Sequence, residues 1–131
     1  MKKITPLFAA ALPVLLCFSC RYDKAETDLP CTPPDTVSFS GNILPLLNAH
    51  CNTAGCHSGT APAGNLDLSP AVAYTELLDP SSGYVDTLHP EYSLFYTQLR
   101  SVSDPMPPSG KLDDCSIALV RKWIEQKAKN N

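Results

Sequence analysis

Apolar side chains recur at helical spacing in four short stretches of the chain. The clearest stretch is CSIALVRKWIEQKAK near the carboxyl end, where Asp113 or Asp114 can cap the first turn. Its apolar stripe consists of Ile117, Val120, Ile124 and Ala128, with Leu119 and Trp123 beside it. This pattern predicts an amphipathic helix.

The other three stretches are shorter, and each begins beside a proline or a capping serine. Ser38 or Ser40 can cap a segment that ends at Cys51, in which Pro45 requires the helix to begin within the preceding turn. Ser69-Pro70 precedes AVAYTELLD, and Pro90 precedes EYSLFYTQLRS. We expect residues 43–47 to pack against residues 117–124. The helical positions of the third stretch are Leu94, Phe95 and Leu99, extended by Tyr92 and Tyr96.

Segments rich in proline and glycine separate the predicted helices. Residues 58–68 predict a loop, and residues 104–108, DPMPP, predict an extended polyproline-like rod. The chain has 131 residues with 13 prolines and 6 glycines, which fits one small all-α domain of about four short helices joined by long Pro-rich loops. Long loops in a small domain usually surround a ligand or form a functional site. A small hydrophobic core leaves room for a large prosthetic group.

The first 20 residues have the pattern of an export signal, with Lys2 and Lys3 before an apolar run that is short for a membrane span. The end of this run, Cys17-Phe18-Ser19-Cys20, resembles a bacterial lipobox with Cys17 where leucine is usual. The resemblance implies cleavage before Cys20 and lipidation of Cys20. The domain boundaries that follow are a signal peptide over 1–20, a Pro-rich tether over 21–37 and a folded domain over 38–131.

Arg21 rather than aspartate follows the lipidated position, which in lipoprotein sorting does not favour the inner membrane. We therefore expect a lipid-anchored protein in the envelope of a Gram-negative bacterium, at the outer membrane and facing the periplasm or the surface. The net charge is −3, and it becomes −5 when Lys2 and Lys3 leave with the signal, since 8 basic residues then face 13 acidic ones. This balance argues against nucleic acid as a partner.

The segment Cys51-Asn52-Thr53-Ala54-Gly55-Cys56-His57 carries the candidate chemistry. Covalent haem attachment uses two thiols and a histidine beside the second thiol, most often as Cys-x-x-Cys-His. Here four residues separate the cysteines, and Ala54 and Gly55 allow the additional residues to loop outward.

From about Phe39 to Ala128 the chain resembles a small c-type cytochrome domain of the kind found in lipoproteins of Bacteroidetes-like bacteria. The resemblance rests on SFSGNILPLLNAHCNTAGCHSG, HPEYSLFYTQL and DPMPPSGKLDDCSIALVRKWIEQKA. It departs at the wider cysteine spacing and at Gln126-Lys127, where Gly-Ala is common. It implies a cytochrome c-like fold around haem c, thioether bonds at Cys51 and Cys56, His57 as proximal iron ligand and Met106 as distal ligand.

Met106 is also the one methionine that remains once the signal is removed, and the prolines around it would hold its thioether in a fixed pose. A His/Met ligand pair raises the reduction potential, which suits an electron carrier. Two alternatives stay open at this point: Met106 as part of the core, and His89 as the distal ligand.

Four cysteines remain when Cys17 and Cys20 are set aside, and four cysteines allow three disulfide pairings. If haem takes Cys51 and Cys56, as the resemblance implies, Cys31 and Cys115 are left as the expected disulfide.

The leading interpretation is a mono-haem electron carrier, not an enzyme, whose acidic surface docks on a positively charged redox partner. One alternative is a haem sensor or peroxidase-like domain with an open distal position. Another is a haem-free interaction lipoprotein in which Cys51 and Cys56 form a disulfide. Zinc is a weaker alternative, because Cys51, Cys56 and His57 offer three ligands at the wrong spacing.

Overall fold

The computed structural model describes residues 31–131, so the predicted signal sequence and the lipidated Cys20 lie outside the described residues. This part of the chain is helical, with no strand, and the all-α prediction is confirmed for it. Its four α-helices are α1 (Leu44–His50), α2 (Ala73–Leu77), α3 (Leu94–Arg100) and α4 (Asp114–Glu125). Shorter helical turns lie at Phe39–Ile43, Ala63–Asn65 and Pro90–Tyr92. No helix of residues 31–131 has the length and apolar character needed to cross a membrane.

The first helical segment begins at Ser38, whose side-chain oxygen accepts the N–H of Gly41 at 2.8 Å. The turn Phe39–Ile43 then leads into α1, and Pro45 lies in the first turn of α1, where it needs no donor for a bond within that helix. At the other end, the N–H of Cys51 bonds to the carbonyl oxygen of Leu47 at 2.8 Å. This segment therefore ends at Cys51, as predicted, and delivers that cysteine to the following loop.

α2 begins later than Ser69-Pro70 suggests, and the predicted start is wrong. The carbonyl oxygen of Ser69 accepts the N–H groups of both Val72 and Ala73, at 3.1 and 2.9 Å. Residues 70–72 therefore form a turn, and the α-helix starts only at Ala73.

The predicted helix after Pro90 is divided in two by Ser93, whose ψ of 122° is not helical. The buried Ser93 hydroxyl accepts the N–H of Asp86 at 2.8 Å and donates to the carbonyl oxygen of Asp86 at 3.2 Å. These bonds hold Ser93 in place between the turn Pro90–Tyr92 and α3. The buried face of α3 consists of Tyr96 and Leu99, whereas Tyr92 and Leu94 are exposed.

Residues 104–108 do not form the predicted straight rod. Bends occur at residues 102–104 and 106–107. The N–H of Met106 donates to the carbonyl oxygen of Gln98 in α3 at 3.1 Å. The N–H of Gly110 donates to the carbonyl oxygen of Pro107. The prediction failed because the main chain of Met106 is tied to α3, which folds the segment against that helix.

α4 starts and packs as its sequence predicts. Asp113 caps it by accepting the N–H of Ser116 at 2.9 Å, and the hydrogen bonds from the Ser116 hydroxyl and N–H lower the pKa of the Asp113 carboxyl. Trp123 is fully buried, and its ring lies 5.5 Å from that of Phe39. The carboxyl-terminal helix thus meets the first helical segment mainly at the turn Phe39–Ile43, about one turn before the predicted residues 43–47, because Phe39 packs on Trp123.

The end of α4 is closed by two main-chain hydrogen bonds of the Schellman type. The N–H of Ala128 bonds to the carbonyl oxygen of Trp123, and that of Lys127 bonds to Ile124, both at 2.9 Å. Lys127 has φ of 70°, in the left-handed region where glycine is favoured. Its ammonium group donates to the carbonyl oxygen of Thr87 at 2.9 Å, which links the end of α4 to the loop before α3.

Residues 31–37, which the sequence analysis assigned to the tether, lie along α4. Cys31 and Cys115 form a disulfide. Further along, the Gln126 side chain accepts the N–H of Val37 at 2.9 Å and donates to the carbonyl oxygen of Asp35, and Val37 is only 1% exposed. The packed structure therefore extends back to Cys31.

Candidate functional site

A cavity of about 300 Å³ lies between the end of α1, the loop that follows it, α3 and residues 106–108. Its volume is at the lower end of the range of roughly 300–1,000 Å³ that is typical of ligand sites. Cys51, Cys56, His57 and Met106 all line it, so the structure brings together the four residues expected to hold a haem. The rest of the wall is predominantly apolar and includes Leu66, Leu68, Leu94, Phe95, Leu99, Pro107 and Pro108.

The loop from Cys51 to His57 is closed by its own main chain. The N–H of Thr53 bonds to the carbonyl oxygen of Cys51 at 3.0 Å, and that of Cys56 bonds to Thr53 at 2.9 Å. The N–H of His57 then returns to the carbonyl oxygen of Cys51 at 3.2 Å. Gly55 supports this turn with φ of 82°, and residues 53–55 are exposed. The loop thus exposes residues 53–55 to solvent, while Gly55 still borders the cavity that Cys51 and Cys56 line.

Cys51 and Cys56 are free thiols that differ in environment. Cys51 is 8% exposed, whereas Cys56 is half-buried. Burial, and to a smaller extent the charge of Cys56, raises the pKa of the Cys51 thiol to about 11. Because the thiolate is the nucleophilic form, Cys51 is the less reactive of the pair towards ordinary thiol reagents.

The imidazole of His57 is held by the loop that covers it. Its Nδ1 lies 3.2 Å from the carbonyl oxygen of Leu66. A carbonyl oxygen can only accept, so this contact requires the hydrogen on Nδ1 and leaves the lone pair on Nε2. The same loop is fixed by the N–H of Leu68, which bonds to the carbonyl oxygen of His57 at 2.8 Å. An imidazole held in this tautomer is prepared to donate Nε2 to a metal.

Met106 lies on the cavity wall that α3 and residues 106–108 form. It is half-buried, packs against the hydrophobic core and is one of the residues that line the cavity. A thioether is a soft, uncharged donor that can bind haem iron. The site therefore contains an imidazole from the loop after α1 and a thioether from the loop after α3.

His89 is not among the residues that line the cavity. Its side chain is 60% exposed, and its Nδ1 lies 3.4 Å from the carboxylate of Asp86. Asp86 also accepts the N–H groups of His89 and Leu88, which lower the pKa of its carboxyl. Of the two alternatives for the distal ligand, Met106 is the one at the cavity. His50 also lines the cavity, from the exposed end of α1.

Sequence reasoning missed two polar residues of the cavity, Tyr84 and Gln98. The Tyr84 hydroxyl donates to the carbonyl oxygen of Gly64 at 3.5 Å, on the opposite loop. Tyr74 does not line the cavity, and its hydroxyl donates to the carbonyl oxygen of Ala128 at 3.0 Å. No local pattern distinguishes Tyr84, because its place at the cavity depends on how two loops meet.

Residues 31–131 contain no group of three or more histidine, cysteine, aspartate or glutamate side chains arranged to hold a metal ion. Comparisons of the chain with protein-family models, with curated proteins and with solved structures gave no match.

Proposed function

We propose that this protein is a mono-haem c-type electron carrier with a cytochrome c-like fold, anchored to a bacterial membrane through a lipid on Cys20. The observation that carries the proposal is that one apolar cavity is lined by Cys51, Cys56, His57 and Met106. Haem is large, flat and mostly apolar, and a wall of leucine, phenylalanine and proline side chains suits it.

The residues at the cavity fit the group chemically. Cys51 and Cys56 are free thiols, as thioether formation requires. His57 has its Nδ1 engaged with Leu66, so Nε2 is the nitrogen left for iron. Met106 supplies the second donor from another loop. When bound, haem would supply an iron that alternates between the ferric and ferrous states.

The residues of the protein would set the reduction potential of the iron and the kind of partner that docks. The His57 and Met106 pair favours the reduced state, because the thioether is a weak donor to ferric iron. The apolar wall limits access of water and so disfavours additional positive charge at the site. Without the signal the chain has a net charge of −5, which favours docking on a basic redox partner.

The first test is to produce the full chain in a bacterial host that carries cytochrome c maturation proteins. The expected product keeps haem through a denaturing gel, as shown by haem staining, and gives a sharp low-spin visible spectrum after dithionite reduction. A matched control replaces both Cys51 and Cys56 with serine and leaves Cys31 and Cys115 intact, and it should lose the covalent haem.

Two other outcomes identify the alternatives. A high-spin haem with an open coordination position would favour the sensor or peroxidase-like function over electron transfer. A colourless protein with Cys51 bonded to Cys56 would overturn the proposal and leave a disulfide-stapled interaction lipoprotein.

A further inference from the structure

The basic residues of the described part of the chain all lie in its last third. Residues 31–99 contain six acidic residues and no lysine or arginine, whereas residues 100–131 contain six basic residues and four acidic ones. The sequence is therefore acidic up to α3 and basic from the end of α3 through α4. Charges that are separated in this way give different surfaces of a protein different electrostatic potentials.

Four exposed or half-buried side chains on α4 and at the end of α3 form a basic patch: Arg100, Arg121, Lys122 and Lys129. Arg100 and Arg121 both lie at Tyr96. The Arg100 guanidinium is 5.3 Å from the centre of the Tyr96 ring, and Glu125 and, to a smaller extent, Tyr96 raise the pKa of Arg121. The ring N–H of Trp123 donates to the carbonyl oxygen of Lys129 at 3.0 Å, which holds Lys129 at the end of α4.

Acidic groups offset only part of the charge of the basic patch. Arg121 pairs with Glu125 at 2.8 Å, and Asp35 lies beside this end of α4, where its carbonyl oxygen accepts from Gln126. Lys122 and Lys129 form no ion pair with any other residue in the range 31–131. Four basic residues against two acidic ones leave the patch positively charged.

The chain that leads to the lipid anchor enters the domain on the same side of α4. The disulfide joins Cys31 to Cys115 in the first turn of α4, and Lys122 lies two helical turns after Cys115. Ten residues separate Cys31 from Cys20, so a lipid on Cys20 would hold this side of the domain close to the membrane. Because the lipid supplies the local concentration, a moderate charge is enough to orient the domain.

α3 separates the basic patch from the cavity. Tyr96 and Arg100 are four residues apart and share one side of this helix, whereas Leu94 and Gln98, which line the cavity, share the opposite side. Among the residues that the structure describes, those that line the cavity end at Pro108, so α4 contributes none of them. A flat surface that contacts the basic patch therefore leaves the cavity accessible.

We propose that the basic patch rests on anionic phospholipid headgroups and holds the domain with its cavity turned away from the membrane. The inference rests on the lipid anchor of the proposed function and adds the orientation of the domain. Each lysine or arginine close to an anionic membrane strengthens binding by roughly fivefold. The acidic residues of 31–99, the stretch that supplies most of the cavity lining, are repelled by the same headgroups and face the aqueous phase.

The test places the full-length lipidated protein in phosphatidylcholine vesicles and in vesicles that also contain about 30% phosphatidylglycerol, which makes them anionic. Flotation in a density gradient shows that the protein is bound, and acetic anhydride then labels its exposed amines. Mass spectrometry measures the labelling rates of Lys122 and Lys129. We expect both amines to react about fivefold more slowly on the anionic vesicles.

The double variant Arg100→Gln with Arg121→Gln removes two charges from the basic patch and keeps both lysine probes. Its labelling rates should be nearly equal on the two kinds of vesicle. The matched control is Thr60→Asp with Thr75→Asp, which changes the net charge equally at two exposed residues away from the cavity. This control should keep the wild-type protection. In the wild type, about 1 M sodium chloride should abolish the protection, a readout that depends on no variant.

Two results overturn this inference alone in a protein that floats with both kinds of vesicle. One is equal labelling on neutral and anionic vesicles, which would leave an acidic protein surface as the partner of the basic patch. The other is protection that persists in the double arginine variant. A protein that does not float with neutral vesicles lacks the lipid, which overturns the anchor of the proposed function. That protein should still float with anionic vesicles, and failure to do so overturns this inference as well.

Discussion

Nδ1 of His57 lies 3.2 Å from the carbonyl oxygen of Leu66, nine residues further along the chain. Between them runs the loop of residues 58–65, which contains the short helical turn Ala63–Asn65. The orientation of the imidazole is therefore fixed by loop closure, and Nε2 is the nitrogen that can bind a metal.

This contact distinguishes His57 from His50, the other histidine that lines the cavity. In haem-loaded protein, His57→Ala should lose the low-spin spectrum, because one axial ligand is removed. His50→Ala should keep it, since His50 is exposed at the end of α1. Visible spectra of the oxidised and reduced forms provide the measurement, and a low-spin His57→Ala protein would contradict the assignment.

The distal ligand can be tested with a second pair of variants. Met106→Ala should open a coordination position, bind added imidazole without competition and lower the reduction potential, because the thioether no longer favours ferrous iron. His89→Ala should leave the spectrum and potential unchanged, because His89 lies at Asp86 on the surface. The reverse result would make His89 the ligand.

The two cavity thiols should differ in reactivity in haem-free protein. We expect iodoacetamide at pH 8 to modify the half-buried Cys56 about tenfold faster than Cys51, whose burial raises its pKa to about 11. The raised folded pKa of Cys51 contributes stability below its ordinary value of 9.0, and this contribution is lost as the pH rises towards 11. Mass spectrometry of alkylated peptides measures the rates, and Cys51→Ala should remove this part of the pH dependence of the unfolding free energy. Equal rates for both thiols would contradict the prediction.

The disulfide between Cys31 and Cys115 spans a sequence separation of 84 residues. Replacing both cysteines with serine should lower the free energy of unfolding by about 4 kcal/mol, because the open chain gains entropy on unfolding. Denaturant titration of the haem-free forms measures this difference. In the wild type, intact mass after alkylation without reductant should show both residues unmodified, and alkylation of both would show that the bond is absent.

Lys127 has a left-handed conformation, with φ of 70°, at the end of α4. Lys127→Gly should be more stable than Lys127→Ala by about 0.5–1 kcal/mol, because both variants lose the bond to Thr87 while only glycine relieves the backbone strain. Thermal unfolding of the two variants gives this difference directly. An alanine variant as stable as the glycine variant would show that the strain is small.

The sequence predicted α4 well because its signals are local: Asp113 caps the first turn, and the apolar residues follow at helical spacing. It failed at Ser93 because the interruption depends on hydrogen bonds to Asp86, seven residues away. Pro90 and the apolar residues after it predict a helix equally well with or without those bonds.

The candidate site also combines residues that the sequence could predict with a residue that it could not. Cys51, Cys56 and His57 share a short motif, and Met106 is conspicuous between prolines, so sequence reasoning could select all four. Gln98 has no such signature. It lines the cavity only because α3 forms one wall of it, which no local sequence pattern reveals.

The attachment of Cys31 to the first turn of α4 sets the reach of the protein. In a chain anchored by a lipid on Cys20, ten residues separate the anchor from Cys31, and the eleven Cα-to-Cα steps between these cysteines span no more than about 40 Å even when fully extended. If residues 31–37 did not pack on α4, the length of chain between the lipid anchor and the packed domain would increase by more than half. For the proposed electron carrier, exchange would therefore be confined to partners in a thin layer at the membrane surface, and a freely diffusing partner would have to enter that layer to exchange electrons.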